Sequence, residues 1–344
     1  MSFNNEIKII LYDLQISDDD RASYVNDAIA IQNYVINRLK SEDQTFRSAY
    51  DGLSLGGSYL DRVKLLTPDE FDLHMKLKFP FDVVPKRNEN AFVLLYAPGG
   101  RNSRLVSHDG YIYRADLQGW LRGIFHKVFN SSLRLSCSGR TYTTKYTGEG
   151  YGCAHSIEAK CEDRTISFDL VPAFEFHGSQ WPLNEPPVPS QVRRDYSWFA
   201  IPQKKSGSND DRTFMVCAPH WEREVMKGSY NLKNVLRLMK GLRDANDLPH
   251  LSSYMLKSVL LQQRSNVNWQ RNEASLLVEM WERLVYHLRC GTLPFFLANG
   301  HNIFVRLGSS DLDTCKANAI EILRKLQICY GNDNGNALRQ LFKL

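Results

Sequence analysis

Two acidic residues, Glu70 and Asp72, stand two positions apart where an alternating run begins. Phe71, Leu73, Met75, Leu77 and Phe79 are apolar, and Asp72, His74, Lys76 and Lys78 fall between them. Period-two alternation predicts a β-strand with one buried face. Side chains at i and i+2 leave the same face, roughly 6.5–7 Å apart at Cα. Both carboxylates therefore point away from the packed face. Carboxylates so close repel each other, and a positive charge between them relieves the repulsion. A divalent hard cation with oxygen ligands suits that place; the alternative is an exposed polar strand face with no ligand. Just upstream, Gly56 and Gly57 allow the backbone to approach a bulky anion, and Ser58 adds a hydroxyl. Tyr59–Leu66 is expected to start a helix there, whose free N–H groups suit a phosphate. A phosphate-sized turn followed by a metal-sized carboxylate pair points to a nucleoside triphosphate held by metal ions.

A two-metal site normally draws a third carboxylate from elsewhere in the chain. Ile166–Val171 is rich in β-branched and apolar residues and reads as a buried strand, interrupted by Asp169. A charge inside an apolar strand is costly unless it is paired or metal-bound. A salt bridge to an arginine is the alternative for Asp169, and Glu175, near the strand's end, is a weaker candidate for the same role.

The elements that must carry these groups are legible in outline. Ile16–Lys40 reads as a helix, with acids at Asp18–Asp20 favourable to its dipole. Tyr24, Ala28, Ile31, Val35 and Leu39 form its apolar stripe, and Arg38, Lys40 and then Arg47 make its far end basic. From about Tyr50 to Phe176 strand-like runs dominate, punctuated by Gly99-Gly100 and Gly148–Gly152, with one inserted helix over Asp116–Phe129. The Pro-rich stretch Trp181–Asp211 lacks periodicity and reads as a crossing or surface loop. From about Ala218 to Leu344 the chain reads as mostly helical. In Leu232–Arg243, the residues Lys233, Arg237 and Lys240 share one helical face, and Leu232, Val235, Leu236, Leu238 and Met239 face the core.

Composition agrees with a globular catalytic protein. A chain of 344 residues can bury a large core or two lobes around a cleft. A hydrophobic fraction of 43% excludes a disordered chain. The run Ala91–Ala97 is strand-sized, and no apolar run reaches membrane-spanning length. The first fifteen residues carry an early acid and lack the positive head and cleavage site of a secretory signal. Seven cysteines without regular spacing fit reduced thiols and a cytoplasmic location. The net charge of +5 does not by itself demand nucleic acid.

The spacing G-[GS] … [DE]-x-D followed by a lone strand aspartate resembles the nucleotidyltransferase superfamily. More narrowly, GGSYLDRVKLLTPDEFDLHMKLKFP looks like cyclic GMP-AMP synthase and the animal, insect-type cyclic GMP-AMP synthase-like receptors. LKNVLRLMKGL and HLSSYMLKSVLL resemble that family's nucleotide-holding helices, and the likeness runs from about Arg21 to the end. The resemblance implies an α/β bilobal nucleotidyltransferase fold: an N-terminal spine helix joining both lobes, a mixed sheet core and a helical C-terminal lobe. The expected division is 1–214 for spine and core and 215–344 for the helical lobe. It also implies a catalytic, metal-binding triad of Glu70, Asp72 and Asp169 with two Mg²⁺ or Mn²⁺ ions. Gly57, Ser58, Lys240, Ser253, Tyr254 and Lys257 are the implied nucleotide contacts, with the Tyr254 ring on a base and Ser253, Lys240 and Lys257 on phosphate. Lys233 and Arg237 resemble residues that contact double-stranded nucleic acid. Together with Arg38, Lys40 and Arg47 they form the expected long basic surface.

Departures from the vertebrate enzyme sharpen the expectation. Its zinc-binding insert before the lysine helix is missing from PHWEREVMKGSYNLKNVLRLMK. His220 stands alone, and Cys153 and Cys161 have no second pair, so no zinc is expected. The missing insert resembles insect-type receptors, several of which sense double-stranded RNA. Met215 stands where the vertebrate enzyme has a guanine-contacting arginine. The expected function is cyclic dinucleotide synthesis of the cyclic GMP-AMP type from ATP and GTP in antiviral signalling, activated by double-stranded RNA, with a homodimer forming on the RNA. A catalytically inactive nucleotide- or nucleic-acid-binding member of the same fold is the alternative.

Overall fold

The computed structural model of the chain describes residues 1–65, 67–149 and 152–344. The expected helix through Leu66 and the glycine run Gly148–Gly152 therefore lie partly outside the described residues. In chain order the elements begin with α1 (Phe3–Asp13), α2 (Asp18–Glu42), α3 (Gln44–Ala49), β1 (Tyr50–Leu55) and α4 (Gly57–Leu60). There follow β2 (Glu70–Leu77), β3 (Val84–Arg87), β4 (Phe92–Tyr96), α5 (Arg114–Val128), β5 (Leu133–Cys137) and β6 (Arg140–Glu149). Next come β7 (His155–Lys160), β8 (Thr165–Phe176), α6 (Ser190–Asp195), β9 (Trp198–Ile201) and β10 (Thr213–Cys217). The remainder is helical: α7 (Pro219–Met226), α8 (Leu232–Ala245), α9 (Ser253–Gln262), α10 (Glu273–Cys290), α11 (Ser309–Gly331) and α12 (Gly335–Leu341).

The chain divides into two compact units. The sheet unit comprises Ser17–Leu60 and Thr67–Trp221. Its strands run β3-β4-β10-β9-β8-β7-β6-β5, with β1 paired to β2 and β2 paired to β8. The strand β2 is antiparallel to β1 and parallel to β8, so the sheet is mixed. On α2, Ser17 is the N-cap, accepting from Asp20 N–H, and Asp18, Asp19 and Asp20 fill the first turn, where negative charge complements the helix dipole. Ala28, Ile31, Val35, Ile36 and Leu39 bury its apolar stripe, and α2 packs on α5 and β5. Asp27 on α2 is also fully buried. It accepts from the Tyr142 hydroxyl at 2.6 Å and from Arg164 at 3.3 Å, which gives a buried carboxylate the partners it requires.

Two expectations need correction. The stretch Trp181–Asp211 is not wholly loop: it contains α6 and the strand β9, which is paired on one side to β8 and on the other to β10. Trp198, Phe199 and Ala200 are all buried. A strand of four residues covered on both faces has no alternation to read. The helix expected over Tyr59–Leu66 is the single turn α4, which starts earlier and ends at Leu60. Arg62 adopts a left-handed φ of 59° just beyond it, which helical backbone does not allow.

The helical unit comprises Met1–Ile16, Asp61–Leu66 and Glu222–Leu344. The first sixteen residues thus cluster with the C-terminal helices, whereas α2 belongs wholly to the sheet unit. The reason is visible in α1, which buries Phe3, Ile7, Ile10 and Leu11 and packs against α12, α10 and α8. The Arg339 guanidinium bridges Glu6 and Asp13 along this helix, at 2.9 Å to each. On α8, Leu232, Val235, Leu236, Leu238 and Met239 are all buried, as their spacing requires. Among the described residues no helix is long and apolar enough to cross a membrane.

Candidate active site

The site is built on the parallel pair β2 and β8. Their register sets Glu70 opposite Ser167, Asp72 opposite Asp169 and His74 opposite Val171. Residues directly opposite each other across a ladder project from the same face. Asp169 therefore comes to the side of the sheet that carries Glu70 and Asp72, and Ile166, Phe168 and Leu170 alternate with it into the core. One oxygen from each of Glu70, Asp72 and Asp169 lies within 4.8 Å of the others. The carboxylates are partly or largely exposed and can be reached by a ligand. Glu175 is taken up elsewhere, accepting from the Lys76 ammonium at 2.9 Å. Three clustered carboxylate oxygens are a donor set for a divalent hard cation, so the residues present fit the Mg²⁺ or Mn²⁺ ions that the family resemblance implies.

The glycine turn is fitted to this cluster. Gly56 N–H donates to the Asp72 carbonyl at 2.8 Å, which lays the turn across β2. Gly57 has a φ of +57°, and a Cβ placed on it would lie 1.7 Å from Asp72 Oδ2. Only glycine leaves room for that carboxylate. Ser58 follows within α4. On the other side of β8, Ser156 of β7 is the ladder partner of Asp169, and its hydroxyl donates to Asp169 Oδ1.

Two buried histidines frame the strands. His74 follows Asp72 on the same face of β2, stacks flat on Phe199 with centroids 4.9 Å apart, and sets Nε2 3.6 Å from Cys217 Sγ. Burial, and then the charge of His220, push its pKa down to about 4. His155, at the start of β7, is pushed down to about 3 by burial first and by Arg122 and His126 next. Its neutral ring is wired at both nitrogens. Gln118 Nε2 donates to the Cys153 carbonyl at 2.9 Å, leaving Gln118 Oε1 to accept from His155 Nε2, while the Tyr146 hydroxyl donates to Nδ1.

The helical unit places the remaining candidates as follows. Lys240 is buried and its ammonium donates to the Val63 carbonyl at 2.8 Å, so it does not share the half-exposed setting of Lys233 and Arg237 on α8. Lys257 is 6% exposed, with Asp61 at 2.7 Å and Glu222 at 2.9 Å. Burial alone would depress its pKa, but Asp61 and Glu222 outweigh it and hold the amine well above the ordinary lysine range. The Tyr254 hydroxyl donates to Glu222 at 2.6 Å, and Ser253 accepts from Arg243 at 3.0 Å. Asp61 and Glu222 are functional-looking charges that no local pattern in the sequence singles out. Arg237 donates to Asn234 and to the Arg62 carbonyl, and burial lowers the Lys233 amine. On the sheet unit Arg38 and Arg47 are exposed, and the Lys40 ammonium lies 4.2 Å from the Tyr50 ring centre.

A parallel strand pair presenting this carboxylate triad beside a fitted glycine turn defines a nucleotidyltransferase core. Comparison with known proteins agrees. Residues 59–221 match the Mab-21 protein nucleotidyltransferase domain, and residues 231–331 match the Mab-21 protein HhH/H2TH-like domain. A cyclic GMP-AMP synthase-like protein of Drosophila melanogaster is 56% identical over 351 residues, covering 100% of this chain and 99% of the relative. A cyclic GMP-AMP synthase-like receptor of Drosophila eugracilis is 37% identical, covering 97% of this chain and 93% of the relative. A receptor of the same name from Aethina tumida is 26% identical over 90% of this chain. The chain belongs to the cyclic GMP-AMP synthase-like members of the Mab-21 nucleotidyltransferase family.

Proposed function

We propose that the chain is a metal-dependent nucleotidyltransferase that joins ATP and GTP into a cyclic GMP-AMP-type dinucleotide in innate antiviral signalling, and that double-stranded RNA activates it. The observation that carries the catalytic part is the register of β2 on β8, which gathers Glu70, Asp72 and Asp169 on one face with oxygens inside 4.8 Å. Two divalent ions bound there would lower the pKa of an attacking ribose hydroxyl and neutralise charge on the departing pyrophosphate. The triad's part is to hold the ligand oxygens in fixed positions. Gly57 and Ser58 bind phosphate through backbone N–H and hydroxyl, with Gly57 also leaving the Asp72 carboxylate its place. On the helical unit, Tyr254 stacks on a base, and stacking accepts any purine in turn. Ser253, Lys240 and Lys257 contact phosphate. For the two lysines that requires the ammonium to turn from the Val63 carbonyl and from the Asp61–Glu222 pair, respectively.

RNA contacts are assigned to Arg38, Lys40 and Arg47 on the sheet unit and to Lys233 and Arg237 on the helical unit. A-form RNA hides its base edges and is met by shape and phosphate, so activation should be independent of sequence and weaken steeply with salt. The test is incubation of the full chain with labelled ATP and GTP, Mg²⁺ or Mn²⁺, with and without double-stranded RNA. A cyclic dinucleotide in wild type, absent in Glu70→Ala/Asp72→Ala that still binds RNA, is the expected result. Undiminished synthesis in that variant overturns the triad. No product from wild type under any condition favours an inactive binding member of the fold. Lys233→Glu/Arg237→Glu should lose RNA stimulation while keeping Mn²⁺-supported basal synthesis, and a full RNA response in it removes that surface.

A further inference from the structure

We infer that Ser156 is a positioning residue for the catalytic centre: its hydroxyl fixes the orientation of the Asp169 carboxylate. The inference rests on the triad reading above and adds to it a residue outside the triad. Three strands lie side by side here, β2, β8 and β7, and their registers put Asp72, Asp169 and Ser156 in one row across them. Opposed side chains on neighbouring strands stand within about 4.5–5.5 Å at Cβ. The Ser156 hydroxyl donates to Asp169 Oδ1.

The need for such a donor follows from electrostatics. Asp169 has two other carboxylates on one flank, with oxygens inside 4.8 Å. Like charges at that distance repel, and rotation about its side chain would let Asp169 turn from the cluster. A hydrogen bond to a charged acceptor is stronger than one between neutral groups, and here it acts from the flank opposite Asp72. A carboxylate offers about four lone-pair sites, so accepting from Ser156 leaves most of them for a cation.

Ser156 is itself held. Its neighbour His155 is buried, tied to Tyr146 on β6 at 2.9 Å and to Gln118 on α5 at 2.9 Å. Gln118 in turn donates to the Cys153 carbonyl, just before β7 begins. The hydroxyl is thus presented from a strand end pinned to two neighbouring elements. Groups that orient metal-binding side chains in this way typically change metal affinity by about 10–100-fold when removed.

The experiment is a Mn²⁺ titration of the full chain, read from the free-ion electron paramagnetic resonance signal in the presence of a non-hydrolysable ATP analogue. Each variant is also melted. Ser156→Ala should weaken Mn²⁺ binding by about tenfold or more, and Ser156→Thr, which keeps the hydroxyl, should bind close to wild type. Ser156→Cys keeps the size and offers only a weak donor, so it reads the hydrogen bond even where Ser156→Ala does not fold; it should bind weakly. Wild-type affinity in Ser156→Ala or Ser156→Cys overturns the inference, as does equal weakening in Ser156→Thr. Asp169→Asn separates the two levels. If it binds Mn²⁺ like wild type, the triad reading itself fails; if it loses binding while Ser156→Ala does not, only the role of Ser156 fails.

Discussion

Replacing Gly57 with alanine perturbs both the turn and the carboxylate it rests on. The backbone term comes from φ, which is +57° at this position; an L-residue pays about 1–2 kcal/mol there. The steric term is larger in consequence. The added methyl would sit 1.7 Å from Asp72 Oδ2 and 2.5 Å from Asp72 Cγ. Non-bonded heavy atoms settle near 3.5–4.0 Å, so the Asp72 carboxylate must withdraw by roughly 2 Å. Misplacing a reacting or ligand group by even 1 Å can cost about 10²-fold in rate. Gly57→Ala should therefore lose at least about 100-fold in turnover while the fold loses only about 1–3 kcal/mol. Gly56→Ala is the control. Its nearest neighbour is the edge of the His74 ring at 3.0 Å, and Asp72 is reached only through its carbonyl at 3.6 Å, so its effect on turnover should be far smaller. The assay is chromatographic measurement of the dinucleotide product at saturating Mg²⁺, with a calorimetric melt of each variant. Wild-type turnover in a folded Gly57→Ala protein would refute the fit between the turn and the carboxylate.

Lys257→Met removes the cation that bridges the buried Asp61 and Glu222, and losing both ion pairs should cost about 3–5 kcal/mol in urea unfolding. Adding Asp61→Asn and Glu222→Gln should restore part of that loss; an undestabilised single variant rejects the pairing. For His74 and His155 the unfolded chain binds more protons than the folded one below the ordinary histidine pKa of about 6.5. Their contribution to stability is complete above that pH and is lost as pH falls toward about 4 and about 3, respectively. His155→Gln should flatten the acid limb of stability between pH 6.5 and pH 4, by up to about 1.4 kcal/mol per pH unit, and an unchanged slope in urea titrations would show that His155 is not buried neutral. Ile10→Ala, in the middle of the buried face of α1, should destabilise the helical unit by about 2–5 kcal/mol, and a wild-type melt would detach α1 from that unit.

Local pattern alone puts Glu70 and Asp72 on one face, because the period of a strand is two and the alternation from Phe71 to Leu77 leaves no other register for the buried side. It also marked Asp169 as a charge in an apolar strand and put Leu232, Val235, Leu236, Leu238 and Met239 inside, since both follow from local periodicity. Which carboxylate completes the cluster depends on long-range strand pairing. Asp169 stands opposite Asp72 because β8 lies parallel to β2, a pairing between segments far apart in the chain, while Glu175 is drawn to Lys76. The same holds for the Ser156 hydroxyl, which meets Asp169 only through the register of β7 on β8. Helical spacing put Lys240 on one face with Lys233 and Arg237, but burial depends on what packs there, and Lys240 is covered. Lys257 was legible as a cation and not as a paired one: its partners, Asp61 and Glu222, lie far from it in sequence. Local pattern fixes the direction in which a side chain leaves its own strand or helix. The group it then meets is set by contacts distant along the chain, and the chemistry of a charged side chain depends on that group.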